Sequence, residues 1–296
     1  SWLTVERLAY IAIGLLAMGL RLFQLGLRPL AAGEATQALA ALGFVRGAID
    51  VAPQGTVPAL FTGNVLGFTL FGANDFSARW LPALAGLALA LLPYGLRHRL
   101  GRGGALAASL LLALSPSAVH FSRSLDSAVL VAACGLALVV GLVGYLDTRA
   151  WGYLYLAGAA LGLGLAAGAG IYHLLLALVL FGVVLYAVER WLGRHSGWTA
   201  LAEGYRAARS AEDAPEDEGL CGSPLVRAGM IAVAVFGLAA TTFVLHPAGM
   251  GLAADLLGAW AQGFLPEAGS QPAVYPILLL LRYETGWDRQ IGRAHV

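Results

Sequence analysis

Apolar runs, several long enough to cross a ~30 Å hydrocarbon core, alternate along this chain with short stretches that hold most of its charge. The first run covers residues 8–27, with Arg21 close enough to one end to snorkel. Pro29 breaks it, and a different pattern follows. Ala38, Leu39, Leu42 and Val45 line one side of a short helix, while Glu34 and Gln37 lie three apart on the other side, in its first turn. Gly33 can precede this helix and Gly47 can close it. The pattern predicts a helix lying along the membrane surface with its acid at the start, where the helix dipole favours a carboxylate. The next apolar block, 57–71, is shorter than a typical span, places Pro58 at a favoured first-turn position and carries Thr62, Asn64 and Thr69. By itself it reads as a span or as a second surface helix.

Orientation separates the two. If 57–71 does not cross, the later spans fall at 80–96, 105–121, 128–146, 152–167, 171–188 and 229–245, and another begins near Ala273. With the N-terminus inside, Arg7, Arg97, Arg99, Arg102, Arg149, Arg190, Arg194, Arg206, Arg209 and Arg227 are cytoplasmic, and only Arg28, Arg46, Arg79 and Arg123 are outside. That satisfies the positive-inside rule, whereas letting the block cross moves the Arg97–Arg102 cluster outside. The expected fold is an all-α polytopic membrane protein, a single transmembrane domain over 1–290 with an external first loop at 28–79 carrying two surface helices and a cytoplasmic loop at 189–227.

Composition agrees: 59% of residues are hydrophobic and 12% charged, against about 25% charged in soluble domains. A net charge of +1, with no basic stripe, gives no support to a nucleic-acid partner. All 18 basic residues are arginine, so no lysine is available to any mechanism. Cys134 lies in an apolar run and Cys221 in a polar loop, and neither a disulfide nor a metal site is assigned to them. The acidic run from Glu212 to Glu218 reads as a solvated linker. The last six residues, 291–296 (IGRAHV), read as translated sequencing adapter, and the protein is expected to continue beyond them.

The candidate chemistry gathers on the external side. Arg28 follows the first span, Arg79 begins the second and Arg123 ends the third, around Glu34. Three guanidinium groups near one carboxylate suit a lipid phosphate, because each offers paired donors to phosphate oxygens. The alternatives are snorkelling anchors, local ion pairs of Asp75 with Arg79 and Asp126 with Arg123, and a Glu34 that only complements its helix dipole. His120, His173 and His246 have no second ligand at metal-binding spacing. No nucleophile elbow, phosphate-cradling glycine loop or zinc-protease motif is present.

The order of these features, and above all the stretch LFGANDFSARWLPALAGLALALLPYGLRHRLGRGGALAASLLLALSPSAVHFSR, resembles the GT-C membrane glycosyltransferases, the protein O-mannosyltransferase and aminoarabinose transferase superfamily, and within it the flippase-activity-associated prokaryotic branch. GSQPAVYPILLLLRYE resembles the family's later span. The resemblance implies transfer of a sugar from a polyprenyl-phosphate donor, entering sideways from the membrane lipids, to an acceptor protein or glycan at the outer face of a prokaryotic plasma membrane. It implies Glu34 as general base or acceptor-orienting group, Arg123, Arg79 and Arg28 as donor-phosphate ligands, and Gln37 and Asp126 in support, and it leaves a divalent metal open. The family's first-loop Asp-Glu pair falls on Gly33 and Glu34, so one acid is kept, and its later Lys-Glu falls near Ala169 and Gly170. The alternative is a non-catalytic lipid-phosphate-binding or scaffold subunit of an envelope glycan pathway.

The topology has a direct check. Single cysteines at Ala32, Gly72 and Gly103, in a background lacking Cys134 and Cys221, are expected to react with an impermeant thiol reagent at the first two positions only. Labelling at Gly103 would invert the orientation.

Overall fold

The computed structural model describes residues 4–48, 56–192, 203–206 and 223–264. The acidic run, Cys221, the apolar segment from Ala273 and the 291–296 tail lie outside the described residues. Two compact units divide at residues 257/258, and the helix bundle with its candidate site belongs to the first.

The described residues form helices and no strands, and the chain is an all-α polytopic membrane protein. In order the helices are α1 (Val5–Leu22), α2 (Ala32–Val45), α3 (Pro58–Phe71), α4 (Asp75–Leu91), a 3-10 turn (Leu92–Leu96), α5 (Arg97–Leu114), α6 (Pro116–Ser122), α7 (Ala128–Thr148), α8 (Trp151–Ala167), α9 (Gly170–Leu192), α10 (Pro224–Ala240) and α11 (Gly249–Gln262). Three helical stretches among them are long and apolar enough to cross a membrane: Asp75–Leu114, Ala128–Thr148 and Gly170–Trp191. In the last of these only 6% of an 18-residue apolar window is buried. Val179, Phe181, Val183 and Val184 stand exposed on α9, as suits a helix whose outer face meets lipid tails rather than water.

The expected 105–121 span is two helices. Ser115 leaves the helical region and its hydroxyl accepts from the Ala118 N–H (3.3 Å), which caps α6, and Pro116 takes the first-turn position where a missing N–H costs nothing. The expected 229–245 span stops at Ala240 because Thr242, Phe243 and Val244 all have positive φ (50°, 56° and 71°). The Thr62 hydroxyl holds this turn, donating to the Ala239 carbonyl (2.6 Å) and lying 3.0 Å from the Thr242 hydroxyl.

The two helices of the 28–79 stretch form where the sequence places them, but α3 goes deeper than a surface helix. Ten of its fourteen residues are buried, since it is apolar on every side and has no polar face to turn outward. It packs on α2, α4, α8 and α10, and the largest core cluster surrounds it, with Leu60, Phe61, Val65 and Phe68 beside Leu89, Leu130 and Leu252. His246 lies 5.5 Å, centroid to centroid, from both Phe44 of α2 and Phe61 of α3. This aromatic group fixes the C-terminal end of α2.

Small residues allow the closest helix contacts. Gly158 and Gly162 of α8 face the backbone of α10 so tightly that an added Cβ would run into the carbonyls of Ala228 and Ala232, the arrangement by which small residues one turn apart join membrane helices.

Candidate functional site

Arg21, expected to snorkel, is fully buried. Its guanidinium donates to the carbonyls of Leu112 (3.0 Å) and Ala113 (3.2 Å) at the end of α5, to Ala17 (3.3 Å) and to the Ser122 hydroxyl (3.3 Å). The last carbonyls of a helix have no partner within it and carry partial negative charge, so a cation is favourable there. Arg123 does the same for α1. It donates to Leu20 (2.9 Å), Phe23 (2.8 Å), Gln24 (3.3 Å) and Arg21 (3.5 Å) carbonyls.

Arg79, at 1% side-chain exposure, organises the third joint. Its Nη1 donates to the carbonyls of Arg28 (2.6 Å) and Leu25 (3.4 Å), its Nη2 to that of Pro29 (3.2 Å) and to Glu34 Oε2 (2.6 Å), and its Nε to Glu34 Oε1 (3.3 Å). These contacts engage all five of its N–H groups. The linker from Leu25 to Pro29 thus wraps the guanidinium, and the helix it leads into supplies the counter-charge. Burial of an arginine requires that all its donors be met.

Glu34 is equally occupied. The N-cap of α2 is Ala31, which has no side-chain acceptor, so Glu34, three residues on, reaches back to the Ala31 N–H with Oε2 (2.8 Å). Its Oε1 accepts from the Leu125 N–H in the α6–α7 loop (2.6 Å). With the two bonds from Arg79, four donors meet the roughly four lone-pair positions of a carboxylate. Burial works to raise the pKa of Glu34, but the hydrogen bonds from Arg79, Ala31 and Leu125 and the charge of Arg79 outweigh it and hold it below the usual carboxylate range. A carboxylate so held is ionised at neutral pH and a weak base.

Of the three arginines expected to surround Glu34, Arg79 alone touches it among the described residues. Arg28 contributes a backbone carbonyl to the site and leaves its side chain exposed, with no partner among the described residues. Asp75 and Asp126 form no ion pair with Arg79 or Arg123. Asp126 instead accepts from the Ala128 N–H with Oδ1 (2.6 Å), capping the start of α7, and its other oxygen has no partner among the described residues. Gln37 is half-buried, and its carbonyl oxygen is buried without a hydrogen bond among the described residues. Asn64, which the sequence gives no role, is fully buried, and neither amide atom is paired among the described residues. Its position in an apolar helix is the only signal.

Fold and site together define a multi-pass helical membrane protein in which one end of the bundle is closed by an arginine–carboxylate clamp. Residues 58–203, just under half the chain, match the family model described as dolichyl-phosphate-mannose-protein mannosyltransferase. The match supports the GT-C superfamily. It includes Arg79, Arg123 and Asp126 and begins after Glu34. No curated protein and no solved structure matches.

The lowered pKa of Glu34 makes stability depend on pH with a definite sign. The pair stabilises the fold fully above the unfolded carboxylate value, ~4.3, and that stabilisation is lost as pH falls through the lower folded value. Thermal unfolding in detergent is therefore expected to show a larger acid-induced loss for wild type than for Glu34→Gln. Equal losses would mean that Glu34 gains nothing from its partners.

Proposed function

We propose that the chain is the membrane domain of a GT-C glycosyltransferase that moves a sugar from a polyprenyl-phosphate donor to an acceptor protein or glycan at the outer face of a prokaryotic plasma membrane, with its N-terminus in the cytoplasm. The family match over residues 58–203 carries this reading and supports a membrane glycosyltransferase of this type. Polyprenyl-phosphate donor, acceptor and orientation are parts of the proposal.

The geometry supports a particular division of labour. A general base needs an oxygen open to the acceptor hydroxyl. Glu34 has none to spare, whereas Asp126 keeps one and adjoins Leu125, whose N–H binds Glu34. Asp126 is therefore the better base, and Glu34 positions the loop that carries it. Asp126 takes the proton of the acceptor hydroxyl as that oxygen bonds to the anomeric carbon, the bond from that carbon to the phosphate oxygen breaks, and the phosphate leaves with the electron pair. Of the three candidate arginines, Arg28 is the one left to meet the leaving charge, because the guanidinium groups of Arg79 and Arg123 are engaged by backbone carbonyls. If the displacement is direct, the anomeric centre inverts.

A second reading, a non-catalytic lipid-phosphate-binding or scaffold subunit, is favoured by one observation: the acid the family resemblance credits is saturated by its own fold. Sugar transfer and donor binding, measured in membranes containing the full-length protein, separate the two. The enzyme reading expects Asp126→Asn to bind donor and lose ~10² to 10⁴ in turnover. It expects Arg28→Ala to weaken donor binding by about 1.5–3 kcal/mol, the worth of a hydrogen bond to a charged group. Undiminished turnover in Asp126→Asn would remove that residue as base. Donor binding without turnover in wild type would establish the scaffold.

A further inference from the structure

The opposite end of α1 and α4 holds a second arrangement that sugar transfer does not use. A groove of ≈ 650 Å³ runs between these helices, walled by Ile11, Gly14, Leu15 and Met18 of α1 and by Leu87 and Leu91 of α4. Ile11 (51%) and Leu15 (58%) are among its exposed residues. The volume lies within the ~300–1,000 Å³ of small-ligand sites. The groove is continuous with a polar basin of ≈ 350 Å³, for Arg7 and Tyr94 line both. The basin adds Arg97, Arg102, His98, Glu6 and Thr4. Arg97 lies over the Tyr94 ring (4.2 Å), and Arg102, 84% exposed, pairs with Glu6 at 3.4 Å. Among the described residues that line the basin, Arg97 and Arg102 bring two guanidinium groups to one carboxylate, that of Glu6. Neighbouring Arg99 is taken by Asp147 (2.6 Å).

We infer that this groove and basin bind an anionic diacyl phospholipid, with one acyl chain along α1 and α4 and the phosphate between Arg97 and Arg102. Charge complementarity and continuity decide the occupant. The apolar trough runs along α4, part of a stretch long and apolar enough to cross a membrane, and along α1, which the sequence reads as the first span, so an acyl chain can lie in it without leaving its own layer. The excess positive charge sits at the helix ends, at headgroup depth, where each arginine near an anionic lipid surface adds attraction. A neighbouring protein helix would fill the trough but would leave the basin's charge unmet. The site lies roughly 27 Å from the Glu34 clamp by helix rise from residue 79 to 97, and it is independent of any transferase activity.

The test uses the purified full chain in detergent and native mass spectrometry, with phosphatidylglycerol and phosphatidylcholine of identical acyl chains as probes. Phosphatidylglycerol is expected to bind more tightly. Arg97→Gln with Arg102→Gln should weaken it by roughly 25-fold, about fivefold for each arginine, and leave phosphatidylcholine unchanged. Glu6→Gln, which releases Arg102, should tighten phosphatidylglycerol, a gain that misfolding cannot imitate. Leu15→Trp, which fills the trough from its exposed edge, should weaken both lipids. Glycerol phosphate should displace neither lipid at equal concentration. Equal affinity for the two lipids, or a preference that survives the double arginine change, would overturn the proposal. Displacement by glycerol phosphate with no effect of Leu15→Trp would show a site for soluble phosphate. Self-association of the chain that excludes both lipids would give the groove to a second helix.

Discussion

A guanidinium withdrawn from water must find partners for five N–H groups, and one end of this bundle is built around that demand at Arg79. The α1–α2 linker supplies carbonyls of Leu25, Arg28 and Pro29, and α2 begins where Glu34 can supply both carboxylate oxygens. Glu34 must in turn be satisfied, and the amides of Ala31 and Leu125 complete it. Three stretches far apart in sequence are thereby tied at one point: the linker with the first turn of α2 that follows it, the start of α4 and the α6–α7 loop. A buried pair of this kind contributes little net stability against an apolar substitute, but breaking it by removing one partner is costly. Its value here is positional.

The same physics recurs nearby. Arg21 closes the end of α5 and Arg123 the end of α1, each by donating to carbonyls that a helix cannot satisfy itself. Three arginines at one end of the bundle thus act mainly on backbone. Arg28 and one oxygen of Asp126 have no partner among the described residues. Under the proposed function, substrate chemistry falls to these residues, held in place by the clamp, rather than to the clamp.

Much of the architecture is readable from apolar runs and their punctuation. The place of Glu34 in the first turn of α2, the Pro58 entry into α3 and the α7 and α8 helices follow from periodicity, proline and glycine, although Gly33, expected to precede α2, lies inside it. The break inside 105–121 is also written in Ser115–Pro116, but the apolar pattern continues through it and masks the boundary. Partners that are backbone atoms remote in sequence leave no such mark. Arg79 meets a carbonyl 54 residues away, and Glu34 an amide 91 residues away. No spacing rule relates such groups, so an arginine bound to carbonyls and one bound to phosphate look the same in a sequence. The burial of α3 is half visible: its lack of a polar face argues for an interior place, while its length argues against a span.

A double-mutant cycle on Glu34 and Arg79 tests the clamp most directly. Unfolding free energies of wild type, Glu34→Gln, Arg79→Met and the double variant isolate the coupling, because losses that each residue makes separately cancel. Two bonds between buried groups predict a coupling toward the upper part of the ~0.5–3 kcal/mol range seen for residues in contact. Additivity within ~0.3–0.5 kcal/mol, the behaviour of independent sites, would contradict the claim that this pair holds that end of the bundle together.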